Sequence, residues 1–297
     1  MKNVLSIVIP AYNESQNIGH CIQELRATLG TKYQIPYEII VVNDNSKDTT
    51  AEVVRGEMAN DPGVKLVNRR PPGGFGRAIR SGIESVTGDI VVIYMADLSD
   101  DPEDVVKYYR KILEGYDCVY GSRFMKGSSV QHYPKLKLVV NRIVNRCVQL
   151  MFWTQFNDLT NAFKAYRTEV IRDCGPYRAS HFNLTLEMSL SALIRNYQIA
   201  QIPISWSGRT WGSSNLRLVD MGRRYLSTLM MMFFSRYLIA DDLIAERLAS
   251  QQNRRDDFKN LEQRLQLIED RLGLTDPGRG IPTPPLTPVP FPITKDA

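Results

Sequence analysis

The sequence predicts an α/β protein built on a mostly parallel sheet with helices on both faces. Apolar runs of strand length alternate with segments of helical period through the first third of the chain. Such βαβα alternation implies a parallel sheet covered on both sides. The run Ile39–Val42 is β-branched, as in a strand buried on both faces. Polar clusters follow three of these runs, at Pro10–Glu14, Asn43–Ser46 and Asp97–Asp101. In open parallel sheets ligands bind beyond the carboxyl ends of strands, so the three clusters mark one site.

Taken in order, the N-terminal apolar run is too short for a signal peptide and reads as a first strand, Leu5–Ile9. Glu14–Leu29 follows as a helix, and Tyr37–Val42 as the second strand. Thr49–Met58 reads as a helix, Val64–Asn68 as a strand, Phe75–Val86 as a helix and Asp89–Met95 as a strand. Further on, Leu136, Val140, Ile143, Cys147 and Met151 follow helical spacing in a helix over about 136–153, with Lys135, Arg142 and Arg146 beside them. Residues 216–239 repeat the theme, with Arg217, Arg223, Arg224 and Arg236 around a Met/Phe-rich face. Basic amphipathic helices of this kind read as membrane-surface elements or as helices packed on the core with basic flanks. The apolar stretch Tyr225–Ser235 is too short to span a bilayer, which takes roughly 20 residues. Residues 240–274 read as a helical extension in which Phe258, Leu261, Leu265, Ile268 and Leu272 step as an a/d seam, a coiled coil for self-association or a single helix packed on the body. Residues 275–297 are a Pro-rich tail with the composition of disorder.

The 297 residues are 43% hydrophobic and 23% charged, ordinary for a globular protein, with a net charge of +5. That charge is concentrated. Residues 118–157 contain no acid but carry Arg123, Lys126, Lys135, Lys137, Arg142 and Arg146, and residues 188–219 contain none but carry Arg195, Arg209 and Arg217. Such stretches point to an anionic partner, phosphate or a membrane surface, or to a solvated basic face. With no recognised nucleic-acid motif or aromatic stacking platform, nucleic acid is not expected. Cys21, Cys118, Cys147 and Cys174 lack paired spacing, which suggests neither zinc nor disulfides and a reducing compartment.

Several stretches carry the chemistry. Tyr12 and Glu14, beyond the first strand, offer an aromatic ring and a carboxylate to a base and ribose, and Asp44 stands at the end of the second strand. Asn45–Asp48 alone would also suit a turn and helix cap. Gly73-Gly-Phe-Gly-Arg77 opens a helix, where glycines let backbone approach a ligand and the helix N-terminus favours phosphate. Asp97 and its neighbours could bridge Mg²⁺ or Mn²⁺ to substrate phosphates, while Asp100 and Asp101 before Pro102 suit a helix start.

Together "SIVIPAYNES", "EIIVVNDNSKDTT", "GGFGRAIRSGI", "GDIVVIYMADLSDDPED", "VYGSRFMKG" and "ISWSGRTWGSS" resemble, in order, the family 2 glycosyltransferases of GT-A fold. Within these the chain is most similar to the polyprenyl-phosphate, dolichol-phosphate mannose synthase-like branch, over roughly residues 3–235. The resemblance implies a GT-A catalytic domain at 1–215 and an inverting transfer of sugar from a GDP- or UDP-sugar to a polyprenyl phosphate. It further implies a peripheral location on the cytoplasmic membrane face. By the same resemblance Pro10, Tyr12, Glu14, Asp44, Gly74, Gly76 and Ala96 line the nucleotide pocket. Asp97 and Ser99 fall on metal positions, and Met95 stands where the family has its first Asp. Arg123 sits in the family's G-S-R motif, and Lys137 with Asn141-Arg142 matches the acceptor-phosphate positions after an aromatic-Pro element, here Tyr133-Pro134. Arg209 and Ser214 match a loop over the donor diphosphate. Asp158 and Phe163 match a D…G-F-R segment in which Lys164 departs from Arg. Asp97, Arg123 and Arg209 are thus the catalytic expectation. A lipid phosphate is already ionised and needs no base. A saccharide or other hydroxyl acceptor would need one, from Asp158 or Glu187, and Met95 leaves open a nucleotide-binding scaffold.

Overall fold

The computed structural model describes residues 3–208 and 218–272. Strands β1 (Leu5–Ala11), β2 (Tyr37–Asn43), β3 (Val64–Asn68) and β4 (Ile90–Ile93) alternate with helices α1 (Ile18–Leu25), α2 (Thr50–Asn60) and α3 (Phe75–Glu84). Then come α4 (Pro102–Leu113), β5 (Cys118–Ser122), β6 (Ser129–Gln131) and α5 (Lys135–Phe152). After these follow β7 (Lys164–Arg167), α6 (Thr168–Cys174), α7 (Leu184–Ile194), β8 (Ile199–Pro203) and β9 (Ser205–Ser207). Helices α8 (Leu218–Leu238) and α9 (Ala240–Leu272) complete the order.

The main sheet has seven strands in the order β3-β2-β1-β4-β7-β5-β8. All its pairs are parallel except those of β7, which runs antiparallel between β4 and β5. Strand order therefore reverses between β1 and β4, the switch point where α/β sheets open a ligand cleft. Ile39–Val42 are fully buried, as their β-branched run requires of a strand covered on both faces. One face packs α1, α2 and α4 through residues such as Ile22, Val54 and Tyr108. The other packs α3 and α5 to α8 through Ile79, Phe152, Leu190 and Met232.

Two expected elements are shorter than their sequence patterns. The first helix starts at Ile18, not Glu14, because Asn13 takes φ 56° and the Glu14 N–H is donated to Thr50 Oγ1; beyond Leu25 the chain winds on as a π-helical segment, Arg26–Lys32. The fourth strand starts at Ile90, since the Asp89 carboxylate turns aside to accept the Val4 N–H.

Helix α5 buries Val148 and Phe152, so the stripe Val140, Ile143 and Cys147 singled out by spacing faces outward. Leu150 and Trp153 add to this outward face. Helix α8 buries Thr228 and Met232 while exposing Leu226, Met230, Phe234, Tyr237 and Leu238. No helix among the described residues is long and apolar enough to cross a membrane. The chain divides into units after Leu248; the second is described from Ala249 to Leu272, and there Phe258, Leu261, Leu265 and Ile268 are exposed.

Candidate active site

The register of β1 against β2 sets Ala11 beside Asn43, and side chains sew the two following loops together. The Asn13 N–H donates to Ser46 Oγ (3.0 Å), the Lys47 N–H to Asn13 Oδ1 (2.8 Å) and the Ser15 N–H to Asp48 Oδ2 (3.1 Å). Tyr12 projects from this rim, while Glu14 holds Asn17 Nδ2 at 2.9 Å. Pro10 is partly covered and Ala96 is buried.

Asp44 is the hub of this side. Its carboxylate accepts the Gly74 N–H at 2.6 Å and pairs with the Arg69 guanidinium, which reaches over from the end of β3. Sequence reasoning missed Arg69, whose signal was a cation placed at a strand's carboxyl end like the acidic clusters. The glycines act differently from expectation. The Gly74 N–H is taken by Asp44 and the Gly76 N–H donates to Ser180 O, so both N–H groups are engaged within the protein. A Cβ on Gly74, at φ +149°, would sit 2.4 Å from Ser180 O, and one on Gly76 would sit 2.6 Å from Ala179 O. These glycines admit the protein's own 179–181 backbone, and Phe75 stacks on Phe182 at 4.1 Å to fix that contact.

Beyond β4, the acidic cluster divides into separate roles. Asp101 caps α4, accepting the Glu103 N–H at 2.9 Å, and Pro102 opens the helix. Asp104 is fully buried, paired to Lys107 and accepting the Ser205 N–H. Asp100, expected to help start the helix, instead lies buried with Oδ2 lacking a hydrogen-bond partner. Burial pushes its carboxyl well up, and the Asp97 carboxylate adds to the rise. Asp97 and Ser99 are both buried, with the Ser99 N–H on Asp97 Oδ1.

A divalent ion here needs hard oxygen donors. Asp97 and Ser99 supply them, the orphaned Asp100 oxygen is a further buried acceptor, and the Met95 side chain supplies none. Among the described residues no group of three or more His, Cys, Asp or Glu could hold a metal alone. The donor set fits Mg²⁺ or Mn²⁺ held by few protein oxygens, with phosphates completing the shell.

On the other side of the cleft, Arg123 leaves β5 buried and locked. Its backbone N–H, Nε and Nη2 donate to the Asp158 carboxylate at 3.0, 2.8 and 2.8 Å. Burial works against its charge, but Asp158 outweighs it and holds the guanidinium protonated. Arg123 and Arg142 line a cavity of about 590 Å³ with Phe124, Val130, His132, Tyr133 and Leu138. Arg142 lies over the Phe124 ring at 4.9 Å, and Asn141 Nδ2 donates to the Tyr133 hydroxyl at 2.8 Å. Asn145, which spacing did not single out, braces this wall by donating to Thr160 and accepting the Leu159 N–H. Lys137 is exposed one turn before Asn141 and does not line the cavity. Glu187 accepts the N–H groups of Arg178 and Ala179, both at 2.8 Å, so both carboxylates named as alternative bases are engaged in structure. Arg209 and Ser214 lie outside the described residues.

This sheet, with the cleft at its switch point, also resembles those of known proteins. Residues 6–175 match the model of glycosyl transferase family 2. The chain belongs to that family. A dolichol-phosphate mannosyltransferase of Pyrococcus furiosus is 29% identical over 217 residues, spanning 72% of this glycosyltransferase and 59% of that enzyme. A polyprenol monophosphomannose synthase of Mycolicibacterium smegmatis is 25% identical over 216 residues, 71% of this chain and 80% of the other. Among solved structures, glucosyl-3-phosphoglycerate synthase from Mycobacterium tuberculosis in complex with UDP superposes with a TM-score of 0.59 at 21% identity, covering 78% of this chain and 80% of that one. The same enzyme with Mn²⁺, UDP and glucosyl-3-phosphoglycerate also gives 0.59, at 20% identity and 79% and 80% coverage. The fold is therefore GT-A, as the sequence led one to expect.

Proposed function

We propose that this glycosyltransferase moves a sugar, with inversion, from a GDP- or UDP-sugar to a polyprenyl phosphate at the cytoplasmic face of a membrane. The observation that carries this reading is the Arg123–Arg142 cavity, which joins two guanidinium groups to a wall of Phe124, Val130, Tyr133 and Leu138. Such a lining suits a phosphate attached to an apolar chain. The phosphate oxygen attacks the anomeric carbon, the bond from that carbon to the donor phosphate breaks, and the nucleoside diphosphate leaves. A phosphate monoester is mostly ionised at pH 7, with a second pKa of about 6, so no side chain need take a proton. The engagement of Asp158 with Arg123 and of Glu187 with backbone agrees with that economy.

On the donor side, Tyr12 and Asp44, the latter oriented by Arg69 and Gly74, face the nucleoside. When bound through Asp97 and Ser99, Mg²⁺ or Mn²⁺ would neutralise charge gathering on the diphosphate. Arg209, in the family's loop position, would contact the same diphosphate. The outward apolar faces of α5 and α8, flanked by Arg142, Arg146, Arg223 and Arg236, would rest on an anionic lipid surface and present the cavity to it. The curated relatives named above, a dolichol-phosphate mannosyltransferase and a polyprenol monophosphomannose synthase, support the acceptor class.

The test is a matrix of GDP- and UDP-sugars against a polyprenyl phosphate with Mn²⁺ or Mg²⁺, reading product mass. One donor should give a lipid-linked sugar phosphate, and Asp97→Asn should abolish it. Transfer to free saccharides but never to the lipid would overturn the reading.

A further inference from the structure

Lys164, on β7, is completely buried. Its Nζ donates to Leu159 O and to Ser189 Oγ, both at 2.6 Å, and lies 5.1 Å from the centre of the Tyr120 ring. Ser189 donates its own proton to Thr185 O, so it meets the lysine purely as an acceptor. Leu159 directly follows Asp158, whose carboxylate seats Arg123 against the cavity. An ammonium with two hydrogen-bond partners and no carboxylate bonded to it is unusual in a protein interior, where buried lysines are normally paired. The mechanism described so far makes no use of it.

We propose that Lys164 is a positioning residue for the phosphate cavity: its charge, seated beneath the Asp158–Leu159 turn, backs Arg123 and sets how tightly the cavity holds an anion. The inference rests on the reading of that cavity as the acceptor-phosphate site. With Lys164 charged, the Arg123, Asp158 and Lys164 group carries one net positive charge; with it neutral, none. Desolvation lowers Lys164 to about 7, Arg123 pushing the same way and Asp158 opposing. The neutral amine keeps two N–H donors for Leu159 and Ser189, so the local packing survives the loss of charge. The groups facing Lys164 do not titrate in its place. Burial pushes Cys118, Tyr120 and Tyr166 well up, so they stay neutral, and Asp158 holds Arg123 charged. Asp100, which is coupled to Arg123, is pushed well up by burial and by Asp97, so the Lys164 variants must separate its contribution as well. His132 also lines the cavity, so variants must separate its contribution from that of Lys164.

The arrangement makes the cavity's grip on anions weaken as pH rises through about 7. One charge acting through the interior from behind Arg123 changes anion affinity by about tenfold. An arginine at 164 would stay charged throughout and abolish the dependence.

The experiment is calorimetric titration of the full chain with a short prenyl phosphate and a prenyl sulfate at pH 6 and pH 8.5. The sulfate is the decisive probe because its own charge is constant over that range. Wild type should bind it about tenfold more weakly at the higher pH. Lys164→Arg should bind with the wild type's low-pH affinity at both values, and Lys164→Met with its high-pH affinity at both. A flat wild-type profile, or a Lys164→Met profile that still follows wild type, overturns the role and leaves the acceptor reading intact. If wild type binds neither probe at any pH, the acceptor reading falls and this role falls with it. Should circular dichroism show that Lys164→Arg does not fold, wild type against Lys164→Met still decides; if neither variant folds, His132→Gln decides, a persisting pH dependence supporting the role and a flat profile overturning it.

Discussion

Replacing Asp158 by Asn separates two chemistries that one carboxylate could perform. The Arg123–Asp158 pair is deeply buried, with the Asp158 side chain 0% and the Arg123 side chain 9% exposed. Asn preserves the shape but removes the charge facing a guanidinium that donates two hydrogen bonds to it, with a third from the Arg123 backbone N–H. Breaking one side of a buried pair costs about 3–5 kcal/mol, because the remaining charge is left uncompensated. Asn still accepts a hydrogen bond, which puts the variant near the lower end, about 3 kcal/mol, within the ~5–15 kcal/mol of a typical domain. The assay pairs urea denaturation with steady-state transfer. Asp158→Asn should lower the denaturation midpoint at unchanged slope and raise KM for the lipid acceptor, while kcat falls less than about tenfold. A general base would behave in the opposite way, since its removal costs about 10²–10⁴ in rate. A variant as stable as wild type whose kcat drops more than about hundredfold would refute the ion-pair reasoning and favour a hydroxyl acceptor.

Three further outcomes follow from the same structure. Gly76→Ala places a Cβ 2.6 Å from Ala179 O and 2.9 Å from His181 O; it should cost about 1–3 kcal/mol and weaken nucleotide binding, because the Gly74–Asp44 contact shifts with the loop. Gly56→Ala, in α2 with open space around it, is the control and should stabilise by about 0.5–1 kcal/mol in thermal melts. Glu38 has the opposite sign to Lys164. Desolvation would raise its carboxyl, but hydrogen bonds from Lys65, Ser6 and Thr87 prevail and hold it at about 2, below the usual 4.5. Its contribution, roughly 3 kcal/mol, is therefore complete above pH 4.5 and lost as pH falls toward 2. Glu38→Gln should flatten acid unfolding measured by tryptophan fluorescence over that window; an unchanged acid limb would refute the assignment.

Much of the architecture was legible because its signals are local. The β-branched runs Ile7–Ile9 and Ile39–Val42 and the helical spacing in Phe75–Glu84 each specify their element without help from distant residues. Element ends were less legible, since Glu14 and Asp89 spend hydrogen bonds on Thr50 and Val4, partners far along the chain. Likewise β7 carries no mark of its direction, and its antiparallel place between β4 and β5 follows from how the chain returns after α5.

The sequence by itself determined the family and the GT-A sheet, and marked Asp44, Asp97, Arg123 and Arg142 as candidates for the chemistry, because motif order and periodicity are properties of the chain. The tertiary structure decided what those residues are free to do. It set Arg69 on Asp44, closed the Gly74–Gly76 loop against 179–181, locked Arg123 to Asp158 and buried Lys164 beneath that pair. Hydrogen bonding and desolvation act between residues remote in sequence, and such pairings exist only once the sheet has brought them together.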